Sequence, residues 1–267
     1  MPIDFSRAGA AFVAAILLPL ASLHAVGLND TGQTQCYDAA NAAVPCSAAV
    51  GGDAGVNPRQ DARYGRDAQA TLGALTKIGA GAAGFDYTKI ANNGNLLSAN
   101  ATLGSNPTDW ACTKDNVTGL IWEVKTTSGL RNMNHTYTWY STNAATNGGN
   151  AGGVGTDTCG GSLVAAPYNN QCNTQNYAAA VNAATLCGAS DWRVPTRKEL
   201  LTLMHAGATN PSIDTAYFPN TNTATWWTNS TYVADPAYAW IVYFGNGVSD
   251  AYGKSGGYFV RLVRGGQ

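Results

Sequence analysis

Few residues in this chain are spaced for catalysis. Gly253-Lys-Ser255-Gly-Gly257 matches the nucleophile-elbow pattern G-x-S-x-G, but that motif needs a strand before the serine and a helix after it. The residues that follow, Tyr258 to Val263, read as a strand, so the stretch is a hairpin loop. The same Gly-Lys-Ser lacks the glycine that a P-loop requires. Gly79-Ala-Gly81-Ala-Ala-Gly84 matches a dinucleotide fingerprint by letter, without the strand-turn-helix unit that gives the fingerprint its meaning, and reads as a Gly/Ala turn. His135 and His205 stand in no Ser/His/Asp arrangement and read as surface or helix-end residues. Asp191, Asp214, Asp235 and Asp250 lie in turn-like contexts, where holding the turn is the default role. A structural calcium could use some of them, though no regular acidic loop is present. With no catalytic motif in its required context, the reading is a module that is not an enzyme and carries no cofactor.

The aromatic residues offer a positive chemistry. Trp226, Trp227, Tyr232, Tyr238, Trp240, Tyr243, Tyr252 and Tyr258 crowd towards the C-terminus. A strand with one solvated face sends only alternate side chains into the core. Trp226, Trp240 and Trp192 are assigned to that core, because large rings are usually mostly buried. Tyr238, Tyr243 and Tyr252 are then candidates for exposure beside Asn229, Asn246, Ser249 and Asp250. Rings next to amides, hydroxyls and carboxylates suit sugar faces, and suit protein surfaces as well.

Composition narrows the partners. Charged residues make up 12%, with 15 Lys and Arg against 16 Asp and Glu and a net charge of -1. No basic run is present, so a phosphate backbone finds nothing to bind and nucleic acid is excluded as a partner.

Residues 1–25 have the form of a secretory signal peptide: Arg7, then an apolar run from Ala8 to Leu20, then a small-residue site ending at Ala25. The run is shorter than the roughly 20 residues a membrane span needs, and no later segment is apolar enough to span. The expected location is the periplasm, the cell surface or the medium. Six cysteines follow: Cys36, Cys46, Cys112, Cys159, Cys172 and Cys187. In an exported chain an even number reads as disulfides, with 15 possible pairings of six. Cys36 with Cys46, and Cys159 with Cys172, would close short loops, and Cys112 with Cys187 would tie a strand region to the end of a helix. No C-x-x-C spacing or grouped histidine points to zinc.

These residues must be held by elements that the sequence also marks. Residues 26–105 form an irregular leader with Cys36 and Cys46, and residues 106–267 form the main domain, with the boundary near Asn106-Pro107. In the leader, Ala68 to Ile78 reads as a short helix or strand. In the main domain, Val117 to Val124 reads as a buried strand. Thr174 to Cys187 reads as a helix started by Asn173 or Thr174 and ended by Gly188. Asp191-Trp-Arg-Val-Pro-Thr-Arg-Lys-Glu-Leu-Leu-Thr-Leu203 carries the clearest punctuation. Pro195 holds Val194 extended, Thr196 caps a helix, and Glu199 stands at the capping-box position. That helix is expected to run from about Arg197 to about Ala206, with Gly207 as a left-handed stop. Strands follow at Thr225 to Ser230, Ala239 to Phe244 and Tyr258 to Arg264, the last two joined through Gly245-Asn246-Gly247.

TGLIWE, the helix ending in LCG, DWRVPTRKELLTL, YFPNT, WWT, AWIVYF and the terminal VRLVRGG occur in an order that resembles the DUF1566 family, also called the Lcl C-terminal domain. TGQTQCYD, QDARYGRD and GAAGFDYTKI resemble the leader of its exported members. The resemblance implies a disulfide-bonded, C-type lectin-like α+β domain with two short helices and a mainly antiparallel sheet. Through the collagen-like adhesin that names the family, it implies adhesion and a glycosaminoglycan ligand. Phe218-Pro219-Asn220 and Asp235-Pro236-Ala237 do not match the calcium-dependent sugar motif of C-type lectins. The last cysteine, Cys187, precedes the strands, which departs from the formylglycine-generating enzymes. The functional expectation is an exported module that binds a polysaccharide or a surface protein through C-terminal aromatic and polar loops. The alternatives are a subunit of a filament or envelope assembly, which would self-associate, and an enzyme acting on envelope glycans.

Overall fold

The computed structural model describes residues 29–38, 40, 42–46 and 60–265. The expected signal peptide, residues 1–25, lies outside the described residues. β1 (Cys36–Tyr37) and β2 (Ala43–Val44) form a small antiparallel hairpin closed by the Cys36–Cys46 disulfide. Two short helices follow, α1 (Asp61–Tyr64) and α2 (Arg66–Thr71). Next come β3 (Tyr87–Ala91), β4 (Leu96–Leu97), β5 (Trp110–Asp115) and β6 (Ile121–Glu123). Helices α3 (Thr174–Ala183) and α4 (Arg197–Leu201) precede β7 (Thr225–Thr231), β8 (Tyr238–Tyr243), β9 (Ser249–Gly253) and β10 (Val263–Arg264). A five-stranded sheet has the order β10-β6-β5-β3-β4, and a three-stranded sheet the order β7-β8-β9, with every pairing antiparallel. The fold is α+β. Its larger sheet joins residues on both sides of the boundary placed at 105/106.

The three-stranded sheet lies between two cores, and its sequence says why. Neighbouring residues of a strand point to opposite faces, so an apolar doublet needs cover on both sides. Trp227 and Ile241 enter one core with Tyr137, Trp139, Tyr177, Trp192 and Leu262. Trp226 and Val242 enter the other with Phe85, Trp122, Leu200, Phe218 and Phe244. A charged network is buried beside them. Lys125 Nζ donates to Glu123 Oε1 at 3.0 Å, to the Tyr177 hydroxyl at 3.0 Å and to the Val260 carbonyl at 3.1 Å. Burial pushes Lys125 down to about 8 although Glu123 opposes it. Burial alone would raise Glu123, but Lys125, Tyr177 and the Leu262 N–H together hold it below its ordinary value.

Several elements differ from their sequence-based bounds. Helix α4 keeps its capping box, with Thr196 and Glu199 each accepting from the other's backbone N–H, but it stops at Leu201. The Thr202 hydroxyl donates to the Glu199 carbonyl at 2.7 Å, and the chain then turns so that the Ala206 N–H meets the Thr31 carbonyl at 2.8 Å. Gly207 is not left-handed. A Cβ there would sit 2.3 Å from the Gly32 carbonyl oxygen, so close backbone approach is what calls for glycine. Helix α3 is capped by Asn173 and ends at Ala183, because Thr185 and Cys187 take φ values of 49° and 53°. The strand expected from Val117 begins only at Ile121, since the N–H groups of Val117 and Thr118 turn back onto Asp115 Oδ1. The Gly245-Asn246-Gly247 turn leads into β9, which went unrecognised, and the expected strand from Tyr258 is regular only at Val263–Arg264. His135 and His205 are buried rather than on the surface. His205 packs on Phe85 with ring centres 5.3 Å apart.

The disulfides are Cys36–Cys46, Cys112–Cys187 and Cys159–Cys172. Among the described residues no helix is long and apolar enough to cross a membrane.

Candidate binding site

The capped corner that precedes α4 starts the site. Arg193 makes a two-pronged contact with Glu199 at 2.8 and 2.6 Å, which fixes the corner against the helix it introduces. Burial opposes ionisation of Glu199, but Arg193 and the Thr196 N–H outweigh it and hold the carboxyl below its ordinary value. Arg197, the first residue of α4, is thereby aimed at the three-stranded sheet. Its guanidinium lies over the Trp240 ring, 3.8 Å from the ring centre, and its Nε donates to Ser249 Oγ at 2.8 Å. Ser249 Oγ in turn donates to the Ile241 carbonyl at 2.7 Å. The corner therefore supplies a side chain to the site as well as scaffold.

Alternation along β8 decides what lies beside Trp240. Ala239 and Ile241 are buried, so Tyr238 and Trp240 stand on the opposite face. The loop between β7 and β8 folds back on them, with the Tyr232 N–H donating to the Tyr238 carbonyl at 2.9 Å. The Tyr232 ring meets Trp240 edge-on, with centres 5.4 Å apart. Asp235 holds the loop by accepting the Ala237 N–H at 3.0 Å, which occupies one oxygen, Oδ1. Asp250 likewise accepts the Ala251 N–H through Oδ1 at 2.8 Å. Tyr232, Asp235, Tyr238, Trp240, Asp250 and Ala251 line a hollow of about 340 Å³. It presents an exposed tyrosine ring, the remaining surface of a half-buried tryptophan and the Asp235 carboxylate; Asp250 pairs with Ile241, so its side chain leaves from the other face and the residue borders the hollow from the β9 edge.

The seven residues expected at the site separate here. Tyr238 and Asp250 line the hollow, and Ser249 anchors it through Arg197. Tyr252 pairs with Ala239 and so lies on the other face of the sheet, edge-on to Tyr258 at 5.4 Å. Tyr243 lies over Gly245, where an added Cβ would be 2.2 Å from its ring. Asn246 closes the following turn by accepting the Val248 N–H at 3.2 Å. Asn229 belongs to β7, and its backbone N–H donates to the Pro195 carbonyl at 2.7 Å. Trp240, expected in the core, is not there. It is half-buried because its face carries Arg197 and Tyr232, and Trp192 and Trp226 are the buried pair. Arg197, Tyr232 and Asp235 join the site without having been singled out for it. The alternation Tyr238, Trp240 against Ala239, Ile241 is the signal that would have placed Trp240.

Of the four acids expected in turns, Asp214 and Asp235 hold them, whereas Asp250 stands within β9 and Asp191 is an ion-pair partner. Asp214 accepts the N–H groups of Ala82 and Ala216, and Asp191 pairs with Arg264. Asp157 lies close to Cys159 and Cys172, but those sulfurs are bonded to each other and offer no thiolate to a metal.

The fold and the hollow define a disulfide-bonded α+β domain with an aromatic, acid-rimmed surface site. The chain matches the family model of the Lcl C-terminal domain over residues 111–264, and it belongs to that family. Arg197 and every residue lining the hollow fall inside the match. No curated protein and no solved structure matches the chain.

Proposed function

We propose that this protein is an exported binding module with a C-type lectin-like fold, and that it holds a neutral polysaccharide in the hollow around Trp240 and Tyr238. The observation that carries this reading is the meeting of three aromatic rings with the Asp235 carboxylate in one shallow site. Ring faces match the C–H faces of a sugar, and carboxylates accept from its hydroxyls. Asp235 disfavours a sulfated chain, and Arg197 is already engaged by Trp240 and Ser249. The three disulfides and the absence of a membrane-crossing helix among the described residues support export.

The test is a glycan array probed with the purified protein and with three variants: Tyr238→Ala, Asp235→Asn, and Tyr243→Ala/Tyr252→Ala. Saturable binding to neutral glycans should fall at least tenfold in the first two and persist in the third. Binding unaffected by the first two, or confined to sulfated glycans, would overturn the reading. Release of reducing ends on incubation would instead favour the enzyme alternative.

A second reading rests on a separate observation. β9 is the edge of its sheet, and its outer side has no strand partner among the described residues. An open edge can accept a strand from another protein, which supports a surface-protein partner or an assembly role. Tyr252→Lys, a charge on the strand edge outside the hollow, tests it, because loss of self-association with glycan binding intact would separate the two readings.

A further inference from the structure

A second polar site lies outside the family-matched region, where the segment preceding β1 meets α1 and α2. Asp30, Asp61 and Asp67 bring one carboxylate oxygen each to within 4.8 Å of one another. Asp30 is 4% exposed and Asp67 is 0% exposed. One oxygen of each, Oδ2 in both cases, is buried with no donor from any other group, so the two carboxyls can hydrogen-bond only to each other through a shared proton. Asp67 spends its other oxygen on the Gly84 N–H at 2.8 Å, and the Thr31 hydroxyl donates to Asp61. None of the three takes part in an ion pair among the described residues. The nearby cations donate to carbonyls rather than to these acids, and Arg66 Nη2 is buried without a partner. Arg66 Nε donates to the Gly84 carbonyl at 3.0 Å, and Lys77 Nζ donates to the Gly81 and Ala83 carbonyls at 2.8 and 2.6 Å.

Two glycines leave room for this convergence. A Cβ on Gly84 would sit 2.5 Å from Asp30 Oδ2, and a Cβ on Gly65 would sit 1.3 Å from Asp61 Oδ1. Buried like charges with orphaned oxygens are costly unless something positive lies between them. The donor set is all oxygen, with no histidine or thiolate, which selects hard cations over zinc or copper. Three carboxylates exceed the one or two that usually hold magnesium, which keeps most of its water. Calcium takes several carboxylates in irregular geometry, and the partly exposed Asp61 leaves an approach for its remaining water ligands.

We infer that Asp30, Asp61 and Asp67 form a calcium site that fastens the segment around Asp30 to α1 and α2. The bound ion neutralises two of the three charges and gives both orphaned oxygens a partner. The competing occupant is a proton: burial, then the hydrogen bond and charge of Asp67 and the charge of Asp61, carry the Asp30 carboxyl up to about 7.

Thermal unfolding and calorimetric titration of the EDTA-treated, desalted protein, with its disulfides formed, separate the two. Calcium should bind with one-to-one stoichiometry, and at about 100 times its Kd it should raise Tm by about 5 °C. Magnesium at the same concentration and ionic strength should do less. Asp30→Asn and Asp67→Asn should each weaken calcium binding at least tenfold, while their Tm in EDTA stays at or above that of the parent. Asp250→Asn, an exposed acid elsewhere, should leave the calcium response unchanged. No saturable calcium effect on the parent would overturn the inference, and a rise in Tm for Asp30→Asn without any calcium response would assign the cluster to a proton. A calcium response that survives both substitutions would also overturn it, by placing the ion elsewhere.

Discussion

Replacing Arg197 by methionine tests whether the corner before α4 builds the binding hollow. The substitution keeps most of the aliphatic stem and removes two interactions. The guanidinium stands 3.8 Å from the centre of the Trp240 ring, a contact worth about 0.5–1 kcal/mol at a partly exposed position. Its Nε also donates to Ser249 Oγ at 2.8 Å, which contributes about 1 kcal/mol. The single variant should therefore lose about 2 kcal/mol, or about 4–8 °C in Tm for a chain of this size. A double-mutant cycle with Trp240→Ala, read by urea unfolding, should return a coupling of about 0.5–1 kcal/mol. Arg197→Lys should recover only part of it, because a compact ammonium cannot lie flat on the ring and reach Ser249 together. A coupling indistinguishable from zero would refute the stacking argument. Arg197 would then be a surface residue, and the corner would be scaffold alone.

Three further outcomes follow from the same structure. Loop-closure entropy ranks the disulfides: removing Cys112–Cys187, with a separation of 75, should cost about 4.5 kcal/mol, against about 3 for Cys159–Cys172 and for Cys36–Cys46, with separations of 13 and 10. Urea unfolding of the paired serine variants checks that order. Lys125→Met should destabilise by about 3–5 kcal/mol by leaving Glu123 buried without its ion partner, and adding Glu123→Gln should return part of the loss in the same assay. Glu199 is held below its ordinary value of 4.5, so its contribution is present above that pH and is lost as pH falls through the lower folded value. Glu199→Gln should therefore be less stable at neutral pH, and the gap to the parent should narrow in acid, as read by Tm between about pH 6 and pH 3.

Legibility in the sequence tracked how local each signal was. The capping box at Thr196 and Glu199 needs four residues and nothing else, and it stands as read. The end of that helix depends on Thr31, far away in sequence, whose carbonyl takes the Ala206 N–H, so no local rule could place it. β9 is illegible for a similar reason. Ser-Asp-Ala-Tyr-Gly has little apolar content, and it is a strand because β8 offers it a ladder from Tyr238 to Val242.

The candidate site shows where a sound rule was applied to the wrong residue. Ring size placed Trp240 in the core, although alternation in Tyr-Ala-Trp-Ile puts it on the same face as Tyr238. Size predicts burial on average, while alternation predicts a face, and for a single strand position the face decides. The same alternation separates Tyr252 from Tyr238, which composition alone had grouped. The Asp30 cluster lies beyond either rule. Asp61 and Asp67 are six apart and look like ordinary solvated acids in Gln-Asp-Ala-Arg-Tyr-Gly-Arg-Asp. Only the fold shows that Gly84 and Gly65 clear the space in which they meet Asp30, and it is that enclosure, more than the count of acids, that demands a counterion.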